Sequence, residues 1–257
     1  MKLSPLADCT ALILAAGVGR RLGQSHDGPK ALLEFGGVSL LQRHFENLAA
    51  SGVRRVVMTL GFETDMIRHA VERLRGDIAV DFTLNPDFRR GSLVSLQVQG
   101  PLLRAGGDVI LMDADVLCDA RMTARLGQGA AENTLLVDRQ IEPGDEPVKL
   151  CFRKDGAGRD RIVDFRKQPE HAHDWHGESV GFFRFSARTA AELADRCDDY
   201  VNAGRLDVEY EEAIRDLMLT DPDRFGAVDV SDLPWTEIDF EEDVARARLE
   251  ILPQLVS

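Results

Sequence analysis

Two uninterrupted apolar runs, Ala11-Leu12-Ile13-Leu14 and Val109-Ile110-Leu111-Met112, constrain this chain more than any other feature. A strand that is apolar at every position needs cover on both faces, which is the condition of a mostly parallel sheet sandwiched between helices. The intervening sequence keeps that rhythm. Strand-like segments at 10–16, 55–60, 78–84 and 108–112 alternate with helix-periodic segments at 40–50, 64–74 and 93–103. After Asp119 the texture changes. Strand-like stretches at 133–137, 148–152, 161–165 and 180–185 are separated by turns such as Glu142-Pro143-Gly144-Asp145, which predicts an antiparallel or mixed extension. Helices over 187–201 and 209–219, strands over 226–230 and 236–238, and a closing helix over 241–252 before Pro253 complete the expected order.

With 44% hydrophobic and 29% charged residues, the 257-residue chain has globular composition. It shows no internal repeat and no Pro/Gly/Ser linker, so one domain spanning 1–257 is expected. Forty-four acidic residues against 31 Lys and Arg leave a formal charge of -13, which opposes binding to nucleic acid or an anionic membrane surface. A small anionic ligand then requires a local basic pocket or a divalent cation. Cys9, Cys118, Cys151 and Cys197 form no CxxC pair, which excludes a zinc-type spacing and fits a reducing cytoplasm. The longest apolar run, 11–18, is too short to cross a bilayer and opens onto Arg20 and Arg21, so neither a membrane span nor a signal peptide is expected.

The first apolar run empties into Leu14-Ala15-Ala16-Gly17-Val18-Gly19-Arg20-Arg21-Leu22-Gly23, and Pro29-Lys30-Ala31-Leu32-Leu33 follows. Spacing excludes two familiar phosphate loops. A dinucleotide fingerprint needs a glycine where Leu22 stands, and a P-loop needs a Gly-Lys pair followed by Ser or Thr, whereas Gly28 leads to Pro29, Lys30 and Ala31. What remains is a run of small residues whose N–H groups can cradle a polyphosphate at the carboxyl end of a parallel strand. Arg21 can grip phosphate oxygens bidentately, and Lys30 adds a point charge. The glycines alone fit a plain surface turn equally well.

The run ending at Met112 continues as Asp113-Ala114-Asp115, and residues two apart on a strand point to one side, so two carboxylates can converge at the sheet's ligand-binding end. Hard oxygen donors beside a polyphosphate suit magnesium. Pro234-Trp235-Thr236-Glu237-Ile238-Asp239 leads into an acidic helix start, where Asp239 also fits an N-cap. The histidines at 171, 173 and 176 read as a polar turn, not a metal site.

Taken whole, Leu14-Ala15-Ala16-Gly17-x-Gly19-x-Arg21-Leu22 followed by Pro29-Lys30-Ala31-Leu32-Leu33 resembles the opening motif of the nucleotidyltransferase superfamily that couples NTPs to sugar phosphates and small alcohol phosphates. The resemblance implies a Rossmann-like α/β sheet of the GT-A kind, with a nucleotide-binding half near 8–118 and an acceptor half near 119–235. It assigns Leu14, Ala15, Ala16, Gly17 and Gly19 to the nucleotide, and Arg21 and Lys30 to catalysis by neutralising the pyrophosphate and the attacked phosphorus. The Trp235-to-Asp239 segment resembles the closing motif, which implies that Asp115 and Asp239 ligate magnesium with Asp113 behind them.

Asn85-Pro86 leading to Ser92-Leu93-Val94-Ser95-Leu96 resembles the choline-phosphate, phosphonate and inositol-phosphate cytidylyltransferase branch, placing Asn85, Ser92 and Ser95 beside base and ribose. Ser92 fits a helix N-cap as well. On the acceptor side the resemblance points to Lys167, ahead of Lys149, for the acceptor phosphate, and to the strand carrying Glu178. Tyr210 and Glu211 suit a cationic head group, though a plain acidic first turn explains the same letters. The implied function is a magnesium-dependent cytidylyltransferase joining CTP to phosphocholine or an aminoalkylphosphonate, with release of pyrophosphate. A sugar-1-phosphate or inositol-phosphate enzyme using UTP, GTP or CTP is the alternative, and a non-catalytic nucleotide-binding module the second. Homodimerisation is left open.

Overall fold

The computed structural model describes residues 4–22, 28–141 and 144–255; Gly23 and the Glu142-Pro143 part of the expected turn lie outside the described residues. The first half contains β1 (Thr10–Ala15), β2 (Glu34–Phe35), β3 (Val38–Ser39), α1 (Leu40–Ala50), β4 (Arg55–Leu60), α2 (Thr64–Leu74), β5 (Ala79–Leu84), α3 (Ser92–Gln97), α4 (Gly100–Leu103) and β6 (Val109–Asp113). It is followed by β7 (Val116–Cys118), α5 (Arg121–Leu126), β8 (Asn133–Asp138), β9 (Lys149–Lys154), β10 (Asp160–Arg166) and β11 (Trp175–Phe185). Helices α6 (Ala187–Asn202) and α7 (Tyr210–Thr220), strands β12 (Phe225–Asp229) and β13 (Trp235–Glu237), and α8 (Glu241–Arg246) finish the order.

A nine-stranded mixed sheet runs through both halves in the order β10-β9-β11-β6-β1-β4-β5, with β8 pairing β11 and β12. Its centre is parallel. β1 lies between β4 and β6, with Leu14 level with Asp113 and Ala15 level with Leu60, so the glycine loop and the acidic pair leave the sheet at the same end. β11 then runs antiparallel to β6 and carries on past it to pair with β9 and β8, which builds the second half onto the same sheet. Both faces are covered, as the uninterrupted apolar strands require. Ala11 and Ile13 of β1 pack with Leu41, Phe45 and Ile67 of α1 and α2, while Leu12 between them packs on the opposite face with Leu93, Leu193 and Ile214. Among the described residues no helix is long and apolar enough to cross a membrane.

Two expected helices differ from their reading. The 93–103 segment breaks at Val98-Gln99 into α3 and α4, because Pro101 has no N–H to continue the first helix's ladder and sits instead in the first turn of the second. The 241–252 helix is α-helical only to Arg246; Ala247–Ile251 widen into a π-turn and Leu252–Gln254 tighten around Pro253. Ser92 is not an N-cap. Gly91 holds that position, and the Ser92 hydroxyl instead accepts the Tyr210 N–H at 3.0 Å, joining the start of α3 to the start of α7.

That junction is tight. Gly91 N–H donates to the Leu206 carbonyl, and Leu93 N–H to the Val208 carbonyl. A Cβ on Gly91 would lie 2.1 Å from the Val208 carbonyl oxygen and 2.7 Å from its nitrogen, both backbone atoms that cannot step aside alone. Gly91→Ala is therefore expected to cost about 1–3 kcal/mol, the scale of overpacking. A urea midpoint unchanged from wild type would refute this.

Candidate active site

The cleft of about 530 Å³ lies across the carboxyl ends of β1 and β6. The corner that carries Lys30, Asp115 and Asp239 is assembled by a small apolar cluster, in which Leu33, Phe35, Leu117, Ile238 and Ile251 bury together. Three of them flank a charged residue of the site: Lys30 comes shortly before Leu33, Asp115 before Leu117, and Asp239 directly after Ile238. β7 and β13 pair antiparallel with Glu237 level with Val116, and Ile238 N–H donates to the Asp115 carbonyl at 3.0 Å. Burying these leucines and isoleucines thus brings three distant chain segments to one point.

At that point Lys30 Nζ donates to Asp115 Oδ2 at 3.0 Å and to Asp239 Oδ1 at 2.5 Å. Burial alone would lower the ammonium's pKa, but the two carboxylates outweigh it and hold the group protonated well above its ordinary value. Arg21 reaches Asp239 at 3.3 Å and lies over the Phe240 ring. Asp239 is free for these contacts because it does not cap α8. Instead the Asp243 carboxylate accepts the Asp239 and Phe240 N–H groups at 2.8 and 2.7 Å. Asp113 stands behind Asp115, accepting a hydrogen bond from the Tyr210 hydroxyl at 2.6 Å, and burial together with Asp115 and Glu211 pushes its pKa well up.

Asp115, Glu237 and Asp239 each present a carboxylate oxygen within 4.8 Å of the others. With Asp113 they outnumber the one ammonium among them, and hard oxygens converging beside a cleft fit a divalent cation that completes its shell with water and phosphate. Glu237 was not among the residues picked from the sequence. Its position two residues before Asp239 was the available signal.

The nucleotide-side residues divide. Leu14, Ala16, Gly17, Ser92 and Ser95 line the cleft. Ala15 packs into the core, Gly19 lies in a neighbouring cavity, and Asn85 is buried. Asn85 Nδ2 donates to Ser95 Oγ at 3.0 Å and its Oδ1 accepts the Asp87 N–H, so its side chain ties the 85–87 turn to α3, which carries Ser95.

Of the residues expected on an acceptor side, Lys167, Glu178, Tyr210 and Glu211 all line the cleft. Lys167 donates to Glu146 at 3.1 Å and lies 3.0 Å from Glu209. Glu146, absent from the sequence-based set, also accepts from Arg21 at 3.2 Å and so bridges the cation expected at the donor to the cation expected at the acceptor. Tyr210 is buried and held by Asp113, so it is a wall and a brace more than an open aromatic face. Burial pushes the carboxyl groups up, Glu178 to about 7 and Glu211 to about 8, and Glu211 Oε2 is enclosed with no hydrogen-bond partner among the described residues. Lys149 turns away, donating to the Lys167 carbonyl at 2.9 Å. His173 and His176 contact each other at 3.0 Å outside any metal-binding cluster among the described residues.

The sequence model of the MobA-like NTP transferase domain matches residues 11–169, from the glycine loop through the acidic pair to Lys167. The chain belongs to that family. Among relatives, the CMP-5'-(3-aminopropyl)phosphonate synthase of Streptomyces rubellomurinus is 26% identical over 95% of this chain, which covers 39% of that protein. The chain spans less than half the length of the curated relatives it matches. Two solved structures share the fold at 18% identity. The inositol-1-phosphate CTP transferase of T. maritima superposes with a TM-score of 0.73 over 98% of this chain and 99% of its own. The CTP:phosphocholine cytidylyltransferase of Streptococcus pneumoniae gives 0.72 over 94% and 98%. As a MobA-like NTP transferase, the chain carries Arg21, Lys30, Asp115 and Lys167 inside its matched segment, which runs from β1 through β10, while Asp239 comes from outside that segment.

Proposed function

We propose that this protein is a cytidylyltransferase that transfers CMP from CTP to a small acceptor bearing a phosphonate or phosphate at one end and a primary ammonium at the other, with release of pyrophosphate. The observation that carries the reading is one cleft with two chemically distinct ends. One end holds Arg21, Asp115 and Asp239, with Lys30 paired to both aspartates; the other carries Lys167 against Glu209, with Glu178 and Glu211 also lining the cleft. The relative aligned along nearly the whole chain, named for an aminopropylphosphonate, supports the acceptor class. Carboxylates accept the N–H bonds of a primary ammonium, whereas a trimethylammonium asks for open aromatic faces. A sugar phosphate asks for amides and backbone groups around its hydroxyls, and this wall is mainly carboxylate.

In the reaction the acceptor oxygen forms a bond to the α-phosphorus, and the bond from that phosphorus to the bridging oxygen breaks, with its electron pair leaving on pyrophosphate. Lys30 and Arg21 neutralise the charge that moves onto the leaving group, and Lys167 orients the acceptor anion for in-line attack. The acceptor anion is ionised near neutral pH, so no general base is needed. Asp115 and Asp239, with Glu237 beside them, would hold magnesium, which when bound screens the triphosphate and polarises its oxygens. The test is pyrophosphate release with CTP, magnesium and 3-aminopropylphosphonate, against phosphocholine and a sugar 1-phosphate under the same conditions. Turnover with the amine acceptor alone is expected; silence with every nucleotide and acceptor would overturn the reading.

A pH dependence follows from the raised carboxyls. Glu178 and Glu211 hold protons that the unfolded chain releases near pH 4.5, so their contribution to stability is complete below that pH and lost as pH rises through about 7 and about 8. Across the same window they become the anions an ammonium prefers. The expected result is a KM for the amine acceptor that falls from pH 6 to pH 8.5 while the ligand-free protein melts at lower temperature. Glu211→Gln should flatten both trends, and an unaltered pair of profiles would refute the assignment.

A further inference from the structure

We propose that Arg89 binds the pyrophosphate leaving group, closing from the far wall a small cationic cavity that takes the β- and γ-phosphates of the donor. The proposal rests on the nucleotidyl-transfer reading above and adds to it a residue from a different segment. Beside the main cleft lies a cavity of about 320 Å³ lined by the 17–19 loop, Arg21 and Lys30 on one side and by Phe88, Arg89 and Arg90 on the other. Among the described residues lining it are four cations and one carboxylate, Asp239, while Asp115, Glu146 and Asp207 reach Lys30, Arg21 and Arg90 from outside the lining. The surroundings run the other way: twelve carboxylates line the main cleft against four cations, and the chain as a whole carries -13. A local reversal of sign beside a glycine loop is what a compact polyanion needs in an otherwise repelling field.

The four cations are not equally committed. Lys30 is held by Asp115 and Asp239, Arg21 by Asp239 and Glu146, and Arg90 by both oxygens of Asp207. Arg89 makes no ion pair among the described residues; its guanidinium lies 5.1 Å from the centroid of the Phe88 ring. A cation–π contact at that distance draws the exposed guanidinium toward the Phe88 ring and uses none of its N–H donors, which can then fork to two phosphate oxygens at once. The turn that carries it is braced. Asn85 Oδ1 accepts the Asp87 N–H at 2.9 Å, Arg90 N–H donates to the Asp87 carbonyl at 2.9 Å, and Gly91 N–H to the Leu206 carbonyl at 3.0 Å. Arg89 is therefore presented to the cavity by a shaped turn. When the α-phosphorus is attacked, the departing pyrophosphate lies between the glycine loop and this guanidinium.

Calorimetric titration of wild type, Arg89→Ala and Arg89→Lys with inorganic pyrophosphate, CTP and CMP, at fixed magnesium and ionic strength, tests the assignment. Arg89→Ala is expected to weaken pyrophosphate and CTP by about tenfold to a hundredfold, the scale of a charged hydrogen bond, and to leave CMP unchanged. Arg89→Lys should recover part of the pyrophosphate affinity. Equal losses for CMP and pyrophosphate, or no loss for either, would overturn the role of Arg89 while leaving nucleotidyl transfer intact. A wild type that binds none of the three would overturn nucleotidyl transfer itself, and the clamp with it.

Discussion

Replacing Lys30 by alanine is expected to lower kcat with CTP by about 10²–10³, the scale of losing one transition-state charge contact. The same variant should also lose ligand-free stability, by about 1–3 kcal/mol. Lys30 is 14% exposed, and Asp115 and Asp239, 23% and 29% exposed, are left facing each other when its ammonium is gone. A divalent cation can replace that charge, so magnesium should raise the melting temperature of Lys30→Ala more than that of wild type. The two effects separate the roles: magnesium should restore the fold of the variant but not its turnover, because the Lys30 ammonium that neutralises the leaving group in addition to the metal is gone. Wild-type turnover in Lys30→Ala, or a melting temperature insensitive to magnesium, would remove Lys30 from the centre of the site.

Asp239→Ala should be as damaging to turnover, by about 10²–10³, for a different reason. Asp239 is the residue that Arg21 and Lys30 both contact, and it is one of the three carboxylates that converge. Its loss takes one carboxylate from each cation, leaving Lys30 to Asp115 and Arg21 to Glu146, and removes one of the three converging oxygens. In wild type a nucleotide at 100 times its Kd adds about 2.7 kcal/mol of stability. In Asp239→Ala the part of that stabilisation requiring magnesium should disappear while the part given by CTP alone remains. A variant whose CTP-dependent melting shift still responds to magnesium would contradict the assignment.

The local elements were legible to different depths, for identifiable reasons. Helices α1 and α2 and strand β4 occupy 40–50, 64–74 and 55–60 as read, because each repeats its buried positions over several turns or residues and needs no distant partner to be recognised. Strand β7 and helix α5 were not anticipated. Three and six residues long, they hold too few periods to be seen, and β7 exists as a strand only because β13 pairs with it. The β2–β3 hairpin was also overlooked, though Gly36-Gly37, both at positive φ, was a sufficient turn signal. Among site residues, Arg21, Lys30, Asp115 and Asp239 sat in recognisable motifs and meet in space. Glu146 sits between Arg21 and Lys167 in a charge-rich turn where no pattern distinguishes it from its acidic neighbours.

By itself, then, the sequence determined the α/β class, the glycine loop at the end of the first strand, and the residue types of the proposed donor chemistry, since all three are written in short-range order. Tertiary structure alone decided that Lys30 stands between Asp115 and Asp239, that Glu237 joins them, that Tyr210 braces Asp113, and that Arg89 faces the glycine loop. The physical reason is that periodicity records which face of an element is buried, not what it is buried against. Lys30 and Asp239 are brought together by the packing of Leu33, Phe35, Leu117 and Ile238, ordinary apolar residues whose partners have no signature in the chain until it folds.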